Sequence, residues 1–160
     1  MYMLDTDTCI YVIKKRPENV LRRLWENRAK GLFVSAVTLA ELEFGIENSG
    51  HREKNRIALL GFLALIGVKR FDEGAAREYG VVKKDLRTKG CVIGPLDMLI
   101  GAHAKSQGMT LVTNNAGEFS RIQGLAVENW TQSAAGGASR PFYSKFPRAV
   151  LKCPCGYSIN

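Results

Sequence analysis

Over residues 1–132, short apolar runs alternate with longer stretches whose apolar residues recur at helical spacing. This is the pattern of an α/β domain around a mostly parallel sheet. The apolar runs predict strands at 2–4, 32–35, 67–71, 110–113 and 126–128, and the periodic stretches predict helices at 9–15, 19–27, 39–48, 53–65, 75–89 and 96–107. In such sheets ligands bind beyond the carboxyl ends of the strands, where the chain turns into the next helix. The residues at those turns are therefore where chemistry is to be sought.

Composition narrows the picture. A chain of 160 residues with 46% hydrophobic and 24% charged side chains is about one domain long and can bury a core, which excludes wholesale disorder. The longest apolar stretch, 57–68, is interrupted by glycine and falls short of the roughly 18 residues of a membrane span; residues 1–7 lack the basic and apolar regions of a leader. A cytoplasmic protein is expected. After Trp130 the composition changes: residues 133–160 carry Ser-Ala-Ala-Gly-Gly-Ala-Ser, three prolines, the bases Arg140, Lys145, Arg148 and Lys152, and no acid. The expectation is a domain over 1–132 and a flexible appendage over 133–160. Subtracting the four appendage charges from the net +8 leaves +4 on the domain, a moderate basicity that suits a polyanionic partner. Cys9 and Cys91 read as small apolar residues, and Cys153 and Cys155 as incidental thiols, because Cys-x-Cys is not a zinc knuckle and no second half follows.

The turns after the strands are acidic. Asp5 and Asp7 follow the first, Glu41 the second, Asp97 opens a helix after Gly94-Pro95, and Asn114, Asn115 and Glu118 follow the run at 110–113. Each acid has a structural alternative. Thr38 to Glu41 spells a capping box, Asp97 at the third helical position suits the helix dipole, Asp7 can cap the helix from residue 9, and Glu118 can be a solvated acid. Brought together, however, two such charges about 5 Å apart repel by roughly 3 kcal/mol at an effective dielectric of about 20. A compensating cation is expected, and all-oxygen donors select Mg²⁺ or Mn²⁺. An acidic pocket in a basic chain suits phosphodiester hydrolysis by a metal-activated water, with Lys and Arg holding the polyanion.

Four stretches carry a resemblance: Met3-Leu4-Asp5-Thr6-Asp7-Thr8-Cys9, Ser35-Ala36-Val37-Thr38-Leu39-Ala40-Glu41-Leu42-Glu43-Phe44-Gly45, Gly94-Pro95-Leu96-Asp97-Met98-Leu99-Ile100-Gly101-Ala102-His103-Ala104, and Leu111-Val112-Thr113-Asn114-Asn115-Ala116-Gly117-Glu118-Phe119. In this order and spacing they resemble the signature blocks of the PIN-domain family, and more narrowly the VapC-type toxins of bacterial toxin–antitoxin pairs. The resemblance implies a PIN-like α/β/α sandwich and a Mg²⁺-dependent endoribonuclease acting on structured RNA, commonly a tRNA anticodon loop, and leaving 5′-phosphate and 3′-hydroxyl ends. It further implies neutralisation by a VapB-type antitoxin and a homodimer. Position by position, it makes Asp5, Glu41 and Asp97 the metal-binding acids. Asn115 stands where many members carry an acid, so Glu118 is expected to assist at a second ion, with Asn115 as a neutral oxygen donor. Two other readings stay open. A structure-specific DNA nuclease would use similar acids, but the chain has no evident insertion for threading a duplex; a non-catalytic RNA-binding module is disfavoured by the retained Asp5, Glu41 and Asp97.

Among the remaining residues, Arg77, Lys83, Lys84, Arg87 and Lys89 give one helix a basic face, either solvated or in contact with RNA. His103 follows Asp97 by six residues, an offset of about 240° on a helix, and should point away from the cleft. Trp25, Phe44, Phe62 and Phe71 read as core or dimer surface.

Overall fold

A computed structural model describes residues 1–15 and 17–132. The expected appendage at 133–160, with Cys153 and Cys155, lies outside the described residues. In chain order the elements are β1 (Tyr2–Leu4), α1 (Thr6–Ile13), α2 (Glu18–Asn27), a 3-10 turn (Arg28–Lys30), β2 (Leu32–Ser35), α3 (Ala36–Glu47), α4 (Arg52–Leu63), β3 (Gly67–Lys69), α5 (Glu73–Thr88), α6 (Pro95–Ser106), β4 (Thr110–Val112), α7 (Ala116–Phe119) and β5 (Val127–Glu128).

The strands lie in the order β3-β2-β1-β4-β5, and every pairing is parallel. From central β1 the chain winds outward through β2 to β3, then crosses back to β4 on the other side of β1. The crevice between the carboxyl ends of β1 and β4 is thus the point where the winding reverses, the place where open parallel sheets bind ligands. Leu4 pairs with both Val34 and Val112, so Asp5, Ser35 and Thr113 stand level, one residue further on, across three adjacent strands.

Alternation along the strands builds the two outer layers. Leu4, Val34 and Val112 point into one core with Val12, Val20, Leu24, Leu42, Ile46, Leu59 and Phe62 from α1 to α4. Met3 and Leu111 point the other way, into a core with Val82 and Leu86 of α5, Met98 and Ile100 of α6, Phe119 and Ile122. The result is the expected α/β/α sandwich.

Three helices begin two or three residues earlier than periodicity predicts, because the residue ending a strand or its turn caps the next helix. The Asp5 carboxylate accepts the Thr6 N–H at 2.8 Å, Ser35 Oγ accepts from Val37 at 3.1 Å, and Asp72 accepts from Ala75 at 2.9 Å. Asp7 consequently lies exposed inside the first turn of α1 and does not cap a helix from residue 9. Thr38 lies inside α3, buried with its hydroxyl unpaired, so Thr38 to Glu41 forms no capping box. The four-residue α7 is too short to show a period.

Cys9 is fully buried, and burial pushes its thiol up; Cys91 is partly buried against the second core. Phe62 is core, whereas Phe44 is 69% exposed. Trp25 packs beneath the Arg28 guanidinium, 4.8 Å from the ring centre. Just past α5, Lys89 pairs with Asp85 at 2.6 Å, and on the helix Lys83 donates to the Tyr79 hydroxyl at 3.1 Å, so of the basic face Lys89 is charge-paired and Lys83 tethered, while Arg77, Lys84 and Arg87 stay exposed.

A candidate metal centre at the carboxyl end of the sheet

Asp5 is locked at the end of β1. Its backbone N–H donates to the Val112 carbonyl at 2.9 Å, one carboxylate oxygen accepts the Thr6 N–H, and the other accepts the Thr113 hydroxyl at 2.7 Å across the β1–β4 crevice. Thr113 Oγ1 in turn accepts the Asn115 N–H at 2.9 Å, so Asn115 enters this network through its backbone. Burial is the largest influence on Asp5 and raises its pKa to about 6 against the two hydrogen bonds; Asp7 and Glu41 add to the rise.

Glu41 comes from α3. It accepts a hydrogen bond from the Thr6 hydroxyl, which ties it to the turn after Asp5 rather than to its own helix start. Asp97 is the third residue of α6, after Gly94 and Pro95, and Gly94 caps that helix without a side chain. A methyl group at Gly94 would stand 3.0 Å from Asp97 Oδ2, so the bare glycine leaves the carboxylate room to fold over the helix start. Burial, then Asp5, Glu118 and Glu41, raise the Asp97 pKa to about 6, and Glu118 lies within hydrogen-bonding reach of it.

The structure thus brings Asp5, Glu41, Asp97 and Glu118 into one cluster, with α7 carrying Glu118 to it. Thr6, Thr113 and Gly94, which hold or accommodate these acids, were not singled out from sequence. Their signal was adjacency, since each sits next to a turn acid or in a turn block. His103 lies outside the cluster, fully buried and bonded to Ser35 Oγ at 2.9 Å.

Among the described residues no three His, Cys, Asp or Glu side chains form a ready-made metal site. The donor chemistry nonetheless fits a hard cation. Four carboxylates offer only oxygen, and both Asp5 and Asp97 are pushed up by burial and by neighbouring acids, a cost that a cation would relieve. Closing around an ion requires side-chain movement, for which Glu41 and Glu118 have the most rotatable bonds.

The strain predicts a pH dependence. With its folded pKa raised to about 6 from 3.8, Asp5 holds a proton more tightly folded than unfolded, so its effect on stability is nil near pH 3 and increasingly unfavourable as pH rises through 4 to 6, reaching about 3 kcal/mol. In chelator, the stability of Asp5→Asn relative to wild type should therefore grow from pH 4 to pH 7. Urea unfolding at both pH values checks this, and a difference independent of pH would show that Asp5 is not strained.

The family model of the PIN domain matches residues 2–125. The chain is 41% identical over 130 residues to the tRNA(fMet)-specific endonuclease VapC of Shigella flexneri, covering 81% of this chain and 98% of that protein. It is 42% identical over 129 residues to ribonuclease VapC2 of Haemophilus influenzae, with 81% and 97% covered. Its fold matches a chain in the crystal structure of VapBC2 from Rickettsia felis bound to a DNA fragment from their promoter, with a TM-score of 0.77, 37% identity and 81% and 98% of the two chains covered. The chain belongs to the PIN-domain family and, within it, to the VapC group.

Proposed function

We propose that this chain is a Mg²⁺- or Mn²⁺-dependent endoribonuclease, the toxin of a toxin–antitoxin pair, that cuts structured RNA at a tRNA anticodon loop. The observation that carries the reading is the cluster of Asp5, Glu41, Asp97 and Glu118 at the β1–β4 crevice, in a chain that spans nearly the whole length of relatives named as ribonucleases. Asp5 and Asp97 hold the principal ion, Glu41 ligates it or orients a water, and Glu118 serves a second ion with Asn115 as a neutral donor. The ion, when bound, polarises the phosphate and lowers the pKa of a coordinated water. Thr113 and the Thr6 N–H fix Asp5 so that it presents one geometry, and the Thr6 hydroxyl tethers Glu41 beside it. Exposed bases of a loop suit recognition at this open edge better than a duplex does.

Structural neighbours that include VapBC assemblies support a VapB-type antitoxin as the partner; on this reading the antitoxin places a basic side chain among the acids and the toxin is a cytoplasmic homodimer. No described helix is long and apolar enough to cross a membrane. Incubating the protein with total RNA and with flap DNA, in Mg²⁺ or EDTA, tests the reading. Mg²⁺-dependent RNA cleavage abolished by the antitoxin is expected. Cleavage of flap DNA alone would favour the DNA nuclease, and binding without cleavage the non-catalytic module.

Glu118 has its own test. Because Glu118 faces Asp97, Glu118→Gln should raise the Mg²⁺ concentration needed for half-maximal cleavage, and Asn115→Asp should partly restore it. Coincident Mg²⁺ titrations for wild type and Glu118→Gln would leave Asp5, Glu41 and Asp97 as the whole site.

A further inference from the structure

Ser35 and His103 are both fully buried and share the 2.9 Å hydrogen bond between Ser35 Oγ and His103 Nδ1. Ser35 ends β2, level with Asp5 on the adjacent strand, and its hydroxyl also accepts the Val37 N–H that starts α3. From this one contact α3 runs forward six residues to Glu41, and α6 runs back six residues to Asp97, about 9 Å of helix rise each way. The two carboxylates still end close enough for Glu41 to act on Asp97. Over so short a length a helix is stiff, and a contact fixed at one end sets the separation at the other.

Packing alone does not account for the histidine. Phe71 meets the ring edge-on at 5.4 Å, a contact an aliphatic side chain could also make, yet Nε2 is buried with no partner in hydrogen-bond geometry. Burial, aided by Lys69 and opposed by Asp72 and the Arg70 backbone, lowers the pKa of the ring, so the ring is a buried polar group whose second nitrogen has only the Arg70 backbone nearby, outside good hydrogen-bond geometry. Such a group costs stability that a leucine would not. What the histidine supplies in return is the bond to Ser35.

We propose that Ser35 and His103 are a positioning pair, which sets the spacing of Glu41 and Asp97 without touching substrate or ion. The proposal rests on reading those acids as the metal site. His103→Leu, His103→Asn, Ser35→Ala and the double variant Ser35→Ala/His103→Leu test it, together with Asp97→Asn. Cleavage of a synthetic tRNA anticodon stem–loop gives kcat and KM, and melting with and without Mg²⁺ gives fold and metal protection.

His103→Leu is expected to melt in chelator at or above the wild-type temperature. Its kcat should fall about tenfold, the scale of a displacement well under 1 Å at a reacting centre, with KM within about twofold and a smaller Mg²⁺-induced rise in melting temperature. His103→Asn, whose amide reaches the Nδ1 position, should recover most of kcat, and the double variant should be no slower than the slower single one. A folded His103→Leu with kcat within twofold of wild type overturns the proposal, as does a loss that follows melting temperature without rescue by asparagine. If His103→Leu does not fold, slow Ser35→Ala beside near-normal His103→Asn supports the pair, and two near-normal rates overturn it. Full cleavage by Asp97→Asn removes the metal-site reading and the proposal with it; loss there beside wild-type kinetics in His103→Leu removes the positioning role alone.

Discussion

Asp97→Asn is expected to reduce RNA cleavage at least about 100-fold, the scale of losing one key electrostatic group at a reacting centre, while the protein stays folded. Asparagine keeps the size of the side chain at the start of α6, and the Gly94 cap uses no side chain that the change could disturb. The charge it removes is the one on which Asp5, Glu118 and Glu41 all press. Relief of that pressure offsets the roughly 0.3–1 kcal/mol lost from the favourable placement of an acid at a helix N-terminus, so melting in chelator should be unchanged or higher. Stabilisation by Mg²⁺ should shrink, because the folded state gains less from an ion it binds more weakly. Single-turnover cleavage at saturating Mg²⁺, with melting curves in chelator and in Mg²⁺, checks all three statements. Activity within a few fold of wild type would move the metal site elsewhere. A drop in chelator stability of about 1 kcal/mol with Mg²⁺ protection intact would return Asp97 to the role of a helix-start acid.

The sheet and both helical layers were legible because burial on both faces leaves short, continuous apolar runs that few other elements produce. Met3 and Leu4, adjacent in sequence, enter opposite cores, and a run that is apolar throughout is the trace of that. Helix starts were less legible. Periodicity begins at the first apolar residue facing a core, whereas the backbone turns helical as soon as a side chain can accept its free N–H groups, and Asp5, Ser35 and Asp72 do so at once. The misplaced start of α3 had a consequence for chemistry. With the cap read as Thr38, Glu41 fell at the third helical position of an apparent capping box. With the cap at Ser35 it is free to bond Thr6 instead.

The acids were legible as a set because strand ends in a parallel sheet share one edge, so chemistry scattered over more than a hundred residues collapses onto it. The residues that hold the acids were not. Thr6 and Thr113 are ordinary turn residues until the register sets Asp5 beside Thr113. Helical geometry correctly turned His103 away from the acid cluster, but it could not show that the opposite face of α6 meets the cap of α3.

Trp130→Ala should destabilise the domain by about 3–5 kcal/mol, the range for removing a large aromatic side chain from a core, and this is a large share of the roughly 5–15 kcal/mol that holds a domain of this size folded. Trp130 is 1% exposed and belongs to the core shared with Leu4, Val20 and Leu24. It meets Tyr2 edge-on with ring centres 5.3 Å apart, and its indole N–H donates to Glu128 at 2.8 Å. The residues on either side are fastened to α2, with Arg23 donating to the Asn129 carbonyl at 3.2 Å and Asn19 to the Thr131 carbonyl at 2.8 Å. The backbone at 129–131 is therefore held in place with the ring above the Tyr2 end of β1, and little collapse can fill the space that alanine leaves. Trp130→Phe, which keeps most of the volume but not the N–H, should cost less than half as much. Residue 130 thus closes the fold, and we propose on this ground that the domain ends at 132: a chain stopping at Gln132 keeps Trp130 and both α2 bonds, and should melt within a degree or two of the full chain. Urea unfolding of Trp130→Ala, Trp130→Phe and the shortened chain checks the three together. A loss below about 1 kcal/mol for Trp130→Ala would show that the ring sits on the core without being part of it, and a large loss on stopping at Gln132 would extend the domain beyond that residue.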